Sequence, residues 1–259
     1  MRFGCCVGLE QLDAAADAGY DYAELPISAV MPEMPEAAFA PVRARLSASQ
    51  VKPEAWRLHL PEDLRITGPQ VDWPRLARYA YTALRRAAAV GGAVAAFCSG
   101  PSRQIPQRFP EAEAMQQVVE FLRICGVVAR GQGMLVGIEP LSQGRTNLIN
   151  SLPDAVALAK RVGLPEVGVL PNISSIVSEG QSLLDVVDAA EWLAHVHVPS
   201  DLVASADHQE TVAELMSALR LADYDWRVSV TGGWSDGPGE AKASLERLKG
   251  WFESTDGAA

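Results

Sequence analysis

The stretch MLVGIEPLSQGRTNLINSLPDAVALAKRVGLPEVGVL, Met134–Leu170, holds one complete unit of the fold. Met134–Glu139 is a short apolar run. Ser151-Leu-Pro-Asp154 carries the cap and early proline of a helix start, and Glu166–Leu170 is apolar again. The reading is strand, helix over 152–162, strand. Outward from this unit, further strands are expected at Arg2–Val7, Tyr20–Leu25, Lys52–Leu60, Ala93–Phe97, Ala194–Val198 and Trp226–Thr231. Helical patterns lie over 9–18, 36–48, 72–90, 111–130, 182–192, 209–222 and 239–253. No Ser- or Pro-rich linker and no charge block interrupts the eight strand–helix units. Such a repeat in about 250 residues predicts an α/β protein, a single (β/α)8 TIM barrel. The barrel is expected over residues 1–253, with 254–259 as a tail. A doubly wound open sheet is the alternative, but no GxGxxG follows the first strand.

Bulk properties narrow the partners. The 259 residues carry a net charge of -10, which argues against a nucleic-acid surface, since phosphate binding needs concentrated positive charge. Cys5, Cys6, Cys98 and Cys125 form neither a CxxC pair nor a zinc spacing, so reduced thiols in the cytoplasm are expected. Neither a basic leader nor a long apolar segment opens the chain, so no membrane association is expected.

A barrel of this kind places its site at the C-terminal ends of the strands. Period-two alternation then points Glu139, Asn172, His197 and Thr231 into the mouth, while Val136, Ile138, Val196, Val198, Val228 and Val230 face the helices. Arg57 and His59 share one face of the third strand, where they are suited to an anionic group at the rim. Trp56, Trp73 and Trp234 lie near strand exits, where they either line a pocket or pack in the core.

These strand ends carry a family resemblance. Val136-Gly-Ile-Glu-Pro-Leu-Ser-Gln-Gly-Arg-Thr-Asn-Leu-Ile-Asn-Ser151, Val167-Gly-Val-Leu170, His195-Val-His-Val198 and Arg227-Val-Ser-Val230 resemble the xylose-isomerase-like sugar phosphate isomerase/epimerase family. Leu60-Pro-Glu-Asp-Leu-Arg-Ile-Thr-Gly-Pro69 and Phe97-Cys-Ser-Gly100 are similar to that family's third- and fourth-strand exits. The resemblance implies a divalent metal held by two glutamates, an aspartate and a histidine at the ends of strands five to eight, with the glutamates moving a proton beside a sugar carbonyl. Glu139 and His197 match two of those positions. Asn172 stands at the aspartate, Thr231 at the second glutamate, and Ser175 at a histidine three residues on. Arg145 replaces a substrate-binding glutamate six residues after Glu139.

Two of three anionic ligands are therefore neutral, and a hard divalent ion needs several anionic oxygens to replace its hydration. The expectation is a divergent sugar isomerase/epimerase-like protein with a degenerate metal site and no cofactor. It would be a silent binding protein (a pseudoenzyme) or an enzyme using Glu139, His197 and Arg145 without metal. Arg57, His59, Asn172, Ser175, Thr231 and Trp234 are its candidate substrate contacts. Arg145 either folds over Glu139 as a substitute cation or points to solvent. The partner is a small polar metabolite, sugar-like or anionic. The alternative is an active isomerase or epimerase with Mn, Mg, Co or Zn held weakly by Glu139, Asn172 and His197. The related family that cuts DNA at abasic sites is disfavoured by the acidity and by too few histidines for a multi-zinc cluster.

Overall fold

Eight short strands, all parallel, lie at the centre of the chain in a computed structural model that describes residues 1–204, 208–232 and 238–254. They are β1 (Arg2–Cys6), β2 (Tyr22–Pro26), β3 (Pro53–Arg57), β4 (Val94–Phe97), β5 (Leu135–Ile138), β6 (Val167–Val169), β7 (Val196–Pro199) and β8 (Arg227–Thr231). The ladder runs β6-β5-β4-β3-β2-β1-β8-β7. The seam between β6 and β7 is closed by two isolated bridges, Val169 with Leu193 and Asn172 with His197. Backbone bonds from Ala194 N to the Val169 carbonyl (2.9 Å) and from His197 N to the Pro171 carbonyl (3.0 Å) hold it. The architecture is a single (β/α)8 barrel, as the strand–helix alternation predicts.

Helices begin and end where the local chemistry dictates. In α3 (Trp73–Ala88) the Asp72 side chain accepts from Arg75 N, with Pro74 in the first turn. In α5 (Leu152–Val162) Ser151 and Asp154 form a reciprocal capping box, and Gly163 ends the helix at φ 71°. The other long helices of the outer layer are α2 (Glu36–Ala48), α4 (Glu111–Gln132), α9 (Gln209–Leu221) and α10 (Pro238–Ser254), and the short α1 spans Leu12–Asp17.

The alternation of strand side chains sorts as expected. Val136, Ile138, Val196, Val198, Val228 and Val230 join the apolar layer under the helices. Inside the barrel floor, Tyr22, Ala55, Val94 and Leu135 form a separate small cluster. Gly4 leaves room for the Tyr22 ring, because a Cβ there would fall inside it. Trp56 is fully buried in the outer apolar layer and Trp73 packs against it, so neither lines the mouth. Trp234 lies outside the described residues.

Three expectations on elements need correction. The third strand ends at Arg57 rather than Leu60, because His59 N turns back to the Arg57 carbonyl (3.0 Å). The helix expected over 182–192 is α7 (Leu184–Asp188) followed by a 3-10 turn at Ala190–Trp192. The segment after β6, which no expected helix covers, forms α6 (Ile173–Ser178), and a further short helix, α8 (Ser200–Ala204), follows β7.

Candidate functional site

The strand exits bring Glu139, Asn172 and His197 into one buried hydrogen-bonded chain. Asn172 Nδ2 donates to Glu139 Oε1 at 2.5 Å, and His197 Nδ1 meets the same oxygen at 3.3 Å. On its other side His197 Nε2 lies 2.9 and 3.1 Å from the two oxygens of Glu24, a fully buried carboxylate on β2. Glu24 also meets His195 Nε2 at 2.9 Å, and that nitrogen is 3.0 Å from Ser229 Oγ, which lies 3.1 Å from the Tyr22 hydroxyl. Glu24 was not singled out in the sequence. Its signal is a carboxylate between Ala23 and Leu25 in an otherwise apolar strand, on the same face as Tyr22.

The protonation pattern follows from this packing. Burial opposes a charge on His197, but the Glu24 and Glu139 carboxylates outweigh it and raise the pKa to about 10. Burial likewise opposes charge on Glu24 and Glu139. The His197 charge and its hydrogen bonds prevail, with His195 assisting at Glu24 and Asn172 and Arg145 at Glu139, so both pKa values fall. His195 moves the other way, its pKa lowered by burial. Its Nδ1 is buried without a partner, which fits a neutral ring whose Nε2 carries the hydrogen. Near neutral pH the centre is therefore an imidazolium held between two carboxylates, with one net negative charge.

A divalent ion in the family's position would need lone pairs from Glu139, Asn172, His197 and Thr231. Asn172 presents its NH2 to Glu139, and its Oδ1 is committed to Ser174 N at 3.0 Å as the cap of α6, which fixes the amide orientation. His197 points N–H groups at both carboxylates. Hydrogens, not lone pairs, thus converge on Glu139 Oε1, and this donor set does not fit a hard divalent cation. Glu139 Oε2 takes no hydrogen bond from the described residues, so a carboxylate lone pair is left for a ligand.

Above this centre lies a cleft of about 420 Å³, lined by Arg145, Asn172, Ser175 and Thr231 with Ser142 and Ser200 among others. Arg145 is exposed, and no carboxylate of the described residues lies within 4.0 Å of its guanidinium. The ion pair with Glu139 is thus not made; Asn172 and His197 occupy that oxygen instead. Arg57 and His59 stand across the mouth. Among the described residues Arg57 Nη2 reaches only the Val7 carbonyl (3.5 Å), and His59 Nε2 is 3.3 Å from Cys98 Sγ. Burial keeps the Cys98 thiol well above its ordinary pKa, so this Cys–His pair is neutral rather than an activated nucleophile. Arg103, also missed in the sequence, is fully buried and donates to the Glu139 carbonyl at 2.7 Å, fixing the backbone that carries the carboxylate.

The profile described as a xylose isomerase-like TIM barrel matches residues 12–251. The chain belongs to that family. No curated protein matches its sequence. Solved structures with the same fold include a D-allulose 3-epimerase from Methylomonas sp. in complex with D-allulose (TM-score 0.82, 18% identity, 97% of each chain covered). A D-psicose 3-epimerase with D-tagatose from Clostridium cellulolyticum H10 gives a TM-score of 0.82 at 17% identity, covering 97% of this chain and 99% of that one. A 3-keto-D-glucoside 4-epimerase from E. coli gives 0.79 at 20%, covering 96% and 99%. For this member of the xylose isomerase-like family, those identities speak to fold. No helix of the described residues is long and apolar enough to cross a membrane.

Proposed function

We propose that this chain binds a small sugar-like polyhydroxy or keto compound at the C-terminal mouth of its barrel, without the divalent-metal-dependent isomerase or epimerase chemistry implied by the family resemblance. The observation that carries this reading is the convergence of Asn172 Nδ2–H and His197 Nδ1–H on Glu139 Oε1. A proton on His197 supplies there the positive charge that a metal supplies elsewhere. Glu139, whose second oxygen meets no donor among the described residues, is suited to accept a hydrogen bond from a ligand hydroxyl, and the His197 imidazolium keeps it ionised. The protein is then a binding protein or an enzyme whose proton transfers rest on Glu139. Four buried, unpaired cysteines support a reducing, cytoplasmic setting.

One observation favours a second reading, an active isomerase or epimerase with a weak metal site. Donor atoms of Cys6, Glu24 and His197 all lie within 4.8 Å of one another. Metal analysis after exhaustive dialysis separates the two. Substoichiometric Mn, Mg, Co and Zn are expected, and a full equivalent of any of them, with ligand turnover lost on chelation, would overturn the proposal. The triple variant Asn172→Asp, Thr231→Glu, Arg145→Gln is expected to bind Mn(II) at least about tenfold more tightly than the parent, because it restores two anionic ligands and removes a nearby cation. Unchanged affinity would mean that these strand ends do not form the metal position.

A further inference from the structure

The helical layer around the barrel is thinnest at α7. Leu184–Asp188 makes little more than one turn, about 8 Å of helix, between α5 with 11 residues and α9 with 13. So short a helix leaves a gap on each flank. Between α7 and α9 runs a groove of about 560 Å³, where Leu183, Leu184, Ala213, Ala218 and Leu221 meet the exposed Glu210 and Glu214. Between α5 and α7 lies another of about 340 Å³, with Val156, Ala157 and Ala189 beside Asp185, Asp188 and Lys160.

The helix α9 shows two faces to these surroundings. Val212, Leu215, Met216 and Leu219 are buried with the core. Glu210, Ala213, Glu214, Ser217, Ala218 and Leu221 recur at helical spacing along a second stripe, and that stripe lines the groove. Leu184 is 66% exposed and Leu221 72%, the two most exposed large apolar side chains of the described residues. A single exposed leucine is ordinary, but two that share one groove mark a surface built for contact.

Charge selects the occupant. Around α7 the lining carboxylates of Asp185, Asp188, Glu210 and Glu214 stand against one cation, Lys160, whose Nζ lies 6.0 Å from the centroid of the Trp192 ring. None of the four has a salt-bridge partner among the described residues. Burial and the neighbouring Asp188 raise the Asp185 pKa, as like charge without relief does. A second copy docked face to face would set these carboxylates against their own kind. A segment with leucines on one side and lysines or arginines beside them answers both the uncovered leucines and the charge.

We propose that this face docks a cationic amphipathic helix of another protein. Its apolar side lies on Leu184, Ala213, Ala218 and Leu221, and its lysines or arginines meet Glu210 and Glu214 on one edge and Asp185 and Asp188 across α7. The groove shares no lining residue with the cleft at the barrel mouth, so its occupant is independent of what that cleft binds.

Fluorescence anisotropy with the whole chain and three labelled peptides of about four helical turns tests this. One peptide repeats Leu and Lys at helical spacing, the second keeps the leucines and replaces Lys by Glu, and the third scrambles the first. The Leu–Lys peptide should bind about tenfold or more tightly than either control. Leu184→Ser with Leu221→Ser, and separately Glu210→Lys with Glu214→Lys, should each weaken it about tenfold. The same reversals on exposed residues of α4, Glu113→Lys with Glu120→Lys, should change it by less than about twofold. Equal weakening by the α4 pair, or equal binding of the scrambled peptide, would reduce the effect to general attraction to a chain of charge -10 and overturn the proposal. Failure of the Leu–Lys peptide to bind, or its undiminished binding to the leucine variant, would overturn it as well. Sedimentation equilibrium distinguishes the other occupant. The same oligomeric state is expected for the parent and the leucine variant, and a dimer that the variant splits would assign the face to a second copy instead.

Discussion

Glu24 is fully buried and accepts from both His195 and His197, so the two rings are oriented by one carboxylate reaching across the barrel from β2. Removing its charge leaves His197 with a single flanking carboxylate and turns an amide NH2 toward rings that need an acceptor. Glu24→Gln is therefore expected to cost roughly 3–5 kcal/mol, as breaking a buried ion pair does. The His197 pKa should drop below its value of about 10. Urea unfolding and NMR titration of the imidazole read these two effects; an unchanged midpoint together with an unchanged titration would show that Glu24 does not support the site. The sequence contained what was needed to find this residue. Alternation from Tyr22 puts it inward, but the family resemblance carries ligand positions only at the ends of strands five to eight and none on β2. Asn172 was legible only in part. Its loss of charge could be read directly, whereas its capping of α6, which fixes which way the amide points, needs coordinates.

At the scale of elements, the segment from Pro140 to Asn150 depends on a close approach from the neighbouring loop. Gly100 has an ordinary helical φ of -60°, so its freedom from strain is not the reason for glycine; the space is. A methyl group there would meet the Arg145 carbonyl at 2.8 Å and Leu141 Cδ1 at 3.0 Å. Gly100→Ala is expected to push the Arg145 segment outward and cost about 1–3 kcal/mol, a typical overpacking penalty. Denaturant midpoints measure the cost, and an unchanged midpoint would show that the loop gives way to the added methyl group. Strand and helix order were readable because period two and period 3.6 are strong over the long elements. The short helix α6 was not. Six residues hold too little periodicity, and the Asn172-Ile-Ser-Ser cap looks the same in a helix start as in a polar loop. The failure of Arg145 to reach Glu139 was equally illegible, because an exposed side chain in a loop has no pattern to constrain its direction.

Across the whole molecule, the buried His197 couples folding to pH. Its pKa is raised from 6.5 in the unfolded chain to about 10 in the fold, so the native state holds a proton that the unfolded state releases between those values. The stability it contributes is complete below about pH 6.5 and is lost as pH rises toward 10. Within that window one extra bound proton corresponds to a slope of about 1.4 kcal/mol per pH unit. On the acid side the sign reverses. Glu24 and Glu139 have pKa values lowered from 4.5, so their contribution is present above that pH and lost as pH falls through the folded values. His195 and His59, whose pKa values burial lowers from 6.5, add to the acid arm, since their contribution is present above that pH and lost as pH falls below it, so greatest stability is expected near pH 6.5. General repulsion among surface carboxylates also grows with pH but saturates once they are ionised, well below the range where His197 titrates. Urea midpoints from pH 5 to 10 in constant salt would trace the profile, with His197→Gln as the comparison. The parent's alkaline decline should be steeper than the variant's by close to one proton. Parallel profiles above pH 7 would show that no imidazolium is held between the two glutamates, and the proton would lose its place as the cation of this site.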